Sequence, residues 1–450
     1  MNALTEFLKD FFSSPAILLG VVALVGLVLQ KKSAPDTIKG TVKAFVGFLV
    51  IGAGAGVLVD ALNPFAEMFQ YGFKVSGVVP NNEAIVALAL TKYGTSTAFI
   101  MMVGMVFNIL IARFTRFKYI FLTGHHTLYM ACMVAVILSV AGLHEGMLVL
   151  FGGLALGIIM TISPALVQPF MKDVTGHDNV GLGHFSAVGY SLSALVGRAV
   201  KGDKKVSTEE INFPKGLGFL RDSTVSITLT MSILYLIVAA VAGPKFVEET
   251  LSGGTNYLVF ALIKAGTFAA GVFVILAGVR LVLAEIVPAF KGISQKLVPD
   301  AKPALDCPIV FPFAPNAVII GFFASFVGGL VSMALMGVAG TVIILPGVVP
   351  HFFTGATAGV FGNATGGVKG AVAGSFVNGV VISFLPILLM PVLGDLGFAG
   401  STFSDADFGV SGILLGKLAN MGGSTAVIAG ILAALALLIV LSLRKKGTNE

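Results

Sequence analysis

Leu122-Thr123-Gly124-His125-His126-Thr127-Leu128-Tyr129 heads an apolar run long enough to cross a bilayer. Half a chain length later, Leu345-Pro346-Gly347-Val348-Val349-Pro350-His351 heads another. Both combine helix-disturbing Gly or Pro with polar groups at membrane depth. Irregular backbone survives there only where protein buries it or where it lines a watery cavity. Two such breaks at corresponding places in two halves mark a transport site at the repeat interface.

The rest of the composition agrees with a membrane setting. The chain has 450 residues, 56% hydrophobic and only 11% charged, against about 25% charged in a soluble domain. It reads as an integral membrane protein. Its 56 glycines suit helices that pack closely through small residues. The net charge of +6 does not indicate nucleic acid, because the basic residues are dispersed between apolar runs, where they set orientation. Cys132 and Cys307 are the only cysteines, so neither a disulfide framework nor a CxxC metal pair is expected. Glu6 and Asp10 flank Lys9 ahead of the first apolar run. That is not the basic n-region of a cleaved signal peptide, so the first run reads as a retained helix.

Runs of spanning length fall at 15–30, 43–60, 95–112, 119–142, 147–166, 223–243, 256–283, 316–336, 338–362, 367–390 and 423–443. Eleven spans place the termini on opposite sides. With the N-terminus outside and the C-terminus cytoplasmic, most of the basic residues fall in cytoplasmic connections, as the positive-inside rule requires. Arg113, Arg116 and Lys118 form one cluster, and Arg444, Lys445 and Lys446 another. The segment 171–222 is the longest polar region and reads as a cytoplasmic connection. Within it, Ser207-Thr208-Glu209-Glu210 starts like a helix cap with acids in the first turn.

Matched features recur across the chain. Asn63-Pro64-Phe65 follows span two and Val287-Pro288-Ala289 follows span seven, at nearly the same offset as Gly124 and Gly347. Five spans separate equivalent helices, so the halves take opposite orientations. The expected fold is therefore an all-α polytopic membrane protein of about eleven transmembrane helices. It comprises two inverted-topology five-helix repeats plus one extra helix, as in many alternating-access carriers.

Pro80-Asn81-Asn82-Glu83 precedes span three. Its counterpart, Leu305-Asp306-Cys307-Pro308 continuing to Phe313-Ala314-Pro315-Asn316, precedes span eight. Each half places one carboxylate and Asn side chains in a Pro-rich helix entry, groups that pair well with sugar hydroxyls. Either segment alone would be an ordinary interfacial turn; matched positions favour a site. His125 and His126, with Tyr129 a turn on, and Gly181-Leu182-Gly183-His184 are further candidates. Adjacent histidines without an acid at helical spacing are not a zinc motif, so no metal or other cofactor is expected. Arg280 with Glu285 in span seven reads as a structural pair or interfacial anchor, and His351 as helix packing. The chain has no Walker motif and no run of intramembrane acids. Its energy must come from a gradient or from another protein.

Three stretches resemble the membrane subunit (EIIC) of the ascorbate-type phosphotransferase systems. They are Ile120-Phe121-Leu122-Thr123-Gly124-His125, Phe290-Lys291-Gly292-Ile293-Ser294-Gln295-Lys296-Leu297, and Asp306-Cys307 with Phe313-Ala314-Pro315-Asn316-Ala317-Val318. The resemblance covers nearly the whole chain, including Lys39-Gly40-Thr41. It implies a homodimer in the bacterial inner membrane, with V-motif scaffold helices in residues 1–70 and 223–300. Core helices would occupy 71–222 and 301–450, the latter with the final helix. The core would carry the sugar by an elevator movement. The substrate would be L-ascorbate or a related sugar acid, phosphorylated by a phosphocysteine on a separate EIIB subunit, with no phosphorylation site on this chain. The implied site comprises Asn81, Asn82, Glu83, His125, His126, Tyr129, His184, Phe185, Asp306 and Asn316, with Asp306 as a possible base. The chain departs from the enterobacterial pattern, in which Gln follows the Gly-His pairs where Tyr129 and Phe185 stand here, and Tyr lies near Glu83. The alternative is an ion- or proton-coupled secondary carrier using Glu83 or Asp306.

Overall fold

Residues 15–443 are described by the computed structural model, apart from 75–76, 203–205, 212–215, 217–218, 221 and 399. In the first half, α1 (Pro15–Leu29) and α2 (Ala34–Phe73) lead into β1 (Gly77–Pro80) and α3 (Asn82–Phe114). Then follow β2 (Tyr119–Phe121), α4 (Gly124–Val140), α5 (Glu145–Thr175), β3 (Gly181–Leu182) and α6 (Ala187–Val200). The second half repeats the order with α7 (Ser223–Ala242), α8 (Tyr257–Leu297), β4 (Lys302–Leu305), a 3-10 segment Cys307–Phe313 and α9 (Pro315–Ala339). It continues with β5 (Ile343–Ile344), a helical turn Val348–Pro350, α10 (Ala356–Leu389), β6 (Ser401–Thr402) and α11 (Ala406–Leu443).

Eight helices among the described residues are long and apolar enough to cross a membrane, and the chain is an all-α polytopic membrane protein. The sequence suggests eleven spans. The difference lies in three places. The described part of α1 has 15 residues and α4 has 17, at or below the lower end of the spanning range, so neither counts among the eight. Expected spans nine and ten form one element, Val348–Val392, kinked at Gly367 (φ 63°, ψ −149°). Gly367 is needed there: a Cβ would lie 2.2 Å from the Val206 carbonyl oxygen, and the φ is one L-residues rarely adopt.

Two regions read as connections are helical. The segment 171–222 contains the end of α5 and all of α6, which buries Tyr190, Ala194 and Gly197. Gly197 meets α10: a Cβ there would lie 2.9 Å from the Gly362 carbonyl oxygen. Residues 406–421 form the first part of α11, ahead of a break at Gly422–Gly423. The cap at Ser207 is present: its N–H donates to Glu210 Oε1 at 2.8 Å in a capping box.

Helices α2 and α8 cross closely. A Cβ on Gly54 would lie 2.8 Å from Ile275, and one on Gly278 would lie 2.7 Å from the Gly47 carbonyl. Tyr235 of α7 donates to the Ala61 carbonyl of α2 at 2.7 Å. Gly54 and Gly271 therefore serve contacts within one chain, whereas Gly56 and Gly266 face open space.

Two small parallel sheets organise the remaining helices. One has the order β5-β1-β6, the other β2-β4-β3. Each central strand comes from one half and both flanking strands from the other. Exchanging β1 with β4, β2 with β5 and β3 with β6 converts one sheet into the other. Strands this short carry no alternating pattern that a sequence could reveal. Their role is to satisfy backbone groups inside a helical body and to aim the helices that follow.

Candidate functional site

Each of the six strands is followed within a few residues by the start of a helix. All six turns contribute to one cavity of about 540 Å³. Asn82 and Glu83 follow β1. Leu122 to His126 and Tyr129 follow β2, and His184 follows β3. Leu305 ends β4, and Asp306 and Pro308 follow it; Val349, Pro350 and Phe353 follow β5; Ser404 and Asp405 follow β6. Leu276, Arg280 and Ala284 of α8 close one side.

Local chemistry explains how each group is aimed. Asn81 caps α3, its Oδ1 accepting from the Ala84 N–H at 2.8 Å, and this presents Asn82 and Glu83 in the first turn. The Asn82 Oδ1 accepts from the Ser404 N–H at 3.0 Å, tying the two halves together at the cavity wall. Glu83 is 6% exposed, and its Oε2 has no hydrogen-bond partner. Thr123 Oγ1 and Tyr129 Oη are likewise buried and unpartnered. Buried polar atoms are normally paired. Three unpaired ones around a single cavity leave polar positions for water or a polar ligand to fill.

The histidines are oriented by their neighbours. The Phe185 N–H donates to His126 Nδ1 at 3.4 Å. The ring proton therefore sits on Nε2, which faces Asp405 Oδ2 at 4.0 Å. Asp405 Oδ1 accepts from Ser404 Oγ at 2.8 Å. His184 Nδ1 pairs with Tyr190 Oη at 2.7 Å. His125 Nε2 lies 3.5 Å from Asp306 Oδ2, while Asp306 Oδ1 accepts from the Cys307 N–H at 2.7 Å. That bond fixes the carboxylate and leaves its second oxygen toward the cavity.

The structure thus gathers Asn82, Glu83, His125, His126, Tyr129, His184 and Asp306 around the cavity. Three expected site residues lie elsewhere. Asn81 stands behind the wall as the α3 cap. Phe185 stacks on Phe121 with centroids 4.4 Å apart, supporting the His126 ring from behind. Asn316 is a structural group: its side-chain amide donates to the carbonyls of Thr208 at 3.1 Å and Ile211 at 3.2 Å, and its backbone N–H donates to Glu209 Oε1 at 2.8 Å. It fastens residues 206–211 to the start of α9.

The sequence reading missed Ser404, Asp405 and Arg280. Asp405 had a signal: the offset between Gly124 and Gly347 carries Gly181-Leu182-Gly183-His184 onto Ser404-Asp405-Ala406-Asp407. Arg280 reaches the cavity wall, and the side chain of Glu285 lies outside the described residues. Asp407 is not a cavity group. Its carboxylate accepts from Ser163 Oγ at 2.6 Å and from the Ala187 and Val188 N–H groups, capping α6.

His126, His184 and Asp405 bring ligand atoms within 4.8 Å of one another, as do His125, His126 and Asp306. Either trio is close enough to share an ion, although the sequence spacing suggested no metal. The His126 and His184 rings lie with centroids 3.9 Å apart, tilted by 52°. They rest on each other instead of converging from separate walls, which suits a hydrogen-bonding surface.

The sequence pattern of a family described as the PTS system sugar-specific permease component, EIIC-GAT, matches residues 10–407. The chain is 27% identical over 436 residues to the ascorbate-specific PTS system EIIC component of Mycoplasma pneumoniae, a match spanning 84% of this chain and 66% of that relative. It therefore spans just under two thirds of that relative's length.

Proposed function

The chain belongs to the EIIC-GAT family of sugar-specific permease components, and from that premise we propose that it imports L-ascorbate or a related sugar acid by group translocation. The observation that carries this reading is the convergence of six strand-to-helix turns on a polar cavity in which His125 and Asp306 face each other. The ascorbate-specific relative supports the substrate. The sugar binds in the cavity and receives a phosphoryl group from the phosphocysteine of a separate EIIB subunit. Phosphorylation traps it in the cytoplasm.

Helices α1, α2, α7 and α8 form the scaffold and the contact of a homodimer in the bacterial inner membrane. The open glycines Gly56 and Gly266 supply close-approach positions for that contact. The remaining helices carry the cavity past the scaffold as an elevator. The N-terminus lies outside, and the basic connections and the C-terminus are cytoplasmic.

Asp306 is the general base. It takes the proton of the accepting sugar hydroxyl, whose oxygen attacks phosphorus. The S–P bond of the phosphocysteine breaks, and the thiolate leaves. Such a base contributes roughly 10²- to 10⁴-fold. Asp306→Asn keeps the size and the acceptor for the Cys307 N–H. The variant should still show a ligand-induced thermal shift with ascorbate yet fail to support phosphorylation by EIIB. Loss of both together would make Asp306 a binding group only. Unchanged phosphorylation would remove it from the site.

A proton-coupled carrier is the second reading, favoured by Glu83, a buried carboxyl with one unpartnered oxygen. Uptake driven by a pH gradient into vesicles holding no EIIB would select it.

A further inference from the structure

The charges of the cavity are divided between two groups of helices. Its three carboxylates, on Glu83, Asp306 and Asp405, and its three histidines all lie on the strand-to-helix turns. Arg280 is the only lysine or arginine among its described lining residues, and it comes from α8. That helix presents two faces. Ile275 and Gly278 press on α2, where the glycines bring the backbones together. Leu276, Arg280 and Ala284, spaced four residues apart, form a different stripe that faces the cavity. Arg280 is therefore held over the ligand space by a helix anchored elsewhere.

We propose that Arg280 is the charge-selecting residue of this permease, supplying the guanidinium that pairs with the negative charge of the sugar acid. The inference rests on the reading of the cavity as a sugar site and deepens it. Hydroxyl groups of the ligand find acceptors on Glu83, Asp405 and Tyr129. None of those groups carries a positive charge to balance a fixed negative one, and carboxylates repel it. A fixed negative charge is matched best by a positively charged donor, and guanidinium is the side chain that offers a planar fork for an enediolate or carboxylate. Neutral histidine on the turns offers single donors only. Selectivity for a charged sugar over an uncharged one of the same size thus comes from α8, and hydroxyl recognition comes from the turns. The separation makes the two removable one at a time.

The experiment compares two probes on the purified full chain at neutral pH: L-ascorbate, a monoanion, and L-galactono-1,4-lactone, an uncharged ring lactone of similar size. The wild type should bind ascorbate more tightly than the lactone. Arg280→Gln should weaken ascorbate roughly 10- to 100-fold, the range for a hydrogen bond to a charged group, and leave lactone affinity within about twofold. Arg280→Lys keeps the charge and should retain most of the preference. In phosphorylation assays with EIIB, Arg280→Gln should raise KM for ascorbate with kcat little changed. Equal weakening of both probes would overturn the inference, because Arg280 would then be shaping the cavity and not reading charge. So would an unchanged ascorbate affinity. The sugar-site reading would survive either result, since a probe still binds. Failure of the wild type to bind either probe overturns the sugar-acid reading itself, and the inference with it. If Arg280→Gln does not fold, Arg280→Lys decides: a preference lost with the charge retained also overturns the proposal.

Discussion

The turn after β2 and the turn after β5 occupy matched positions in the two halves, yet their histidines have different surroundings. After β2, α4 begins as regular α-helix at Gly124, and His125 and His126 reach the cavity. After β5, one helical turn, Val348–Pro350, passes into a π-helical turn, His351–Gly355. A π turn adds a residue and rotates the faces that follow. His351 turns away, its Nδ1 2.8 Å from Ser325 Oγ, its ring lodged where a Cβ on Gly329 would come within 2.5 Å. The cavity receives Val349, Pro350 and Phe353 in its place. The same backbone slot is thus a polar wall in one half and an apolar wall in the other. A sugar needs both, since its hydroxyls seek acceptors and its ring carbons pack on hydrocarbon. The repeat supplies the scaffold of turns, and the local sequence decides what each turn offers.

Four substitutions break or sharpen this contrast, taken from the largest effect down. Gly347→Ala attacks the apolar turn at its root. The new Cβ would lie 2.3 Å from the Pro80 carbonyl, which cannot move without disturbing β1. We expect a loss of about 3 kcal/mol, the upper end for overpacking, seen as a lower thermal midpoint in detergent together with weaker ligand binding. An unchanged midpoint would show that the two turns have slack between them.

His125→Ala attacks the polar turn. Ascorbate binding should fall roughly 10- to 30-fold, while the ligand-free midpoint moves little because His125 is partly exposed to the cavity. A large drop in the midpoint would mean that His125 is structural, like its counterpart. His351→Leu should behave in the opposite way. It leaves Ser325 Oγ without its partner and should cost about 1–2 kcal/mol of stability, with the dissociation constant unchanged. If ligand affinity fell instead, the two turns would be equivalent after all.

The smallest effect tests the outer side of the β2-β4-β3 sheet. Lys172 and Lys302 both contact Asp178 at 2.8 Å, and Gln168 donates to it at 2.8 Å. Desolvation works against the charge of Asp178, but these donors outweigh it and hold its carboxyl below the ordinary aspartate range. A depressed folded value means that the contribution is present above the unfolded value and is lost as pH falls through the folded one. Asp178→Asn should therefore cost less than about 1 kcal/mol, as exposed pairs do. The cost should be the same across neutral pH and vanish only in acid. A cost that changed near neutrality would point to a different group.

Much of this was legible in the sequence where a long signal existed. The apolar runs around α5, α7 and α9 stand out, and Gly124-His125 and Asp306 mark themselves by interrupting such runs. Helix α6 did not, because Ser191, Ser193, Gly197 and Arg198 dilute 14 residues below any spanning threshold. Its burial comes from α10, a partner distant in sequence. Residues 406–421 were hidden similarly by Asp407, Lys417 and Asn420. Asn316 misled: an Asn at a helix start serves a neighbouring carbonyl as readily as a ligand, and only the position of Thr208 and Ile211 decides which. Arg280 read as an anchor because its spacing on α8 shows which residues share its face, not what that face meets.

The interleaving of the two small sheets constrains how the chain is made. β1 emerges early, yet its neighbours β5 and β6 lie in the second half, and β4 of the second half joins β2 and β3 of the first. Pairings so remote in sequence form late, since a long loop must close before any contact repays it. The first half therefore waits in the bilayer with unpaired strand edges until the second is synthesised. Expressed alone, neither half would have the partner its central strand needs, and both would invite aggregation or proteolysis. Co-expressed as two fragments cut in the polar connection ahead of α7, they should rescue each other.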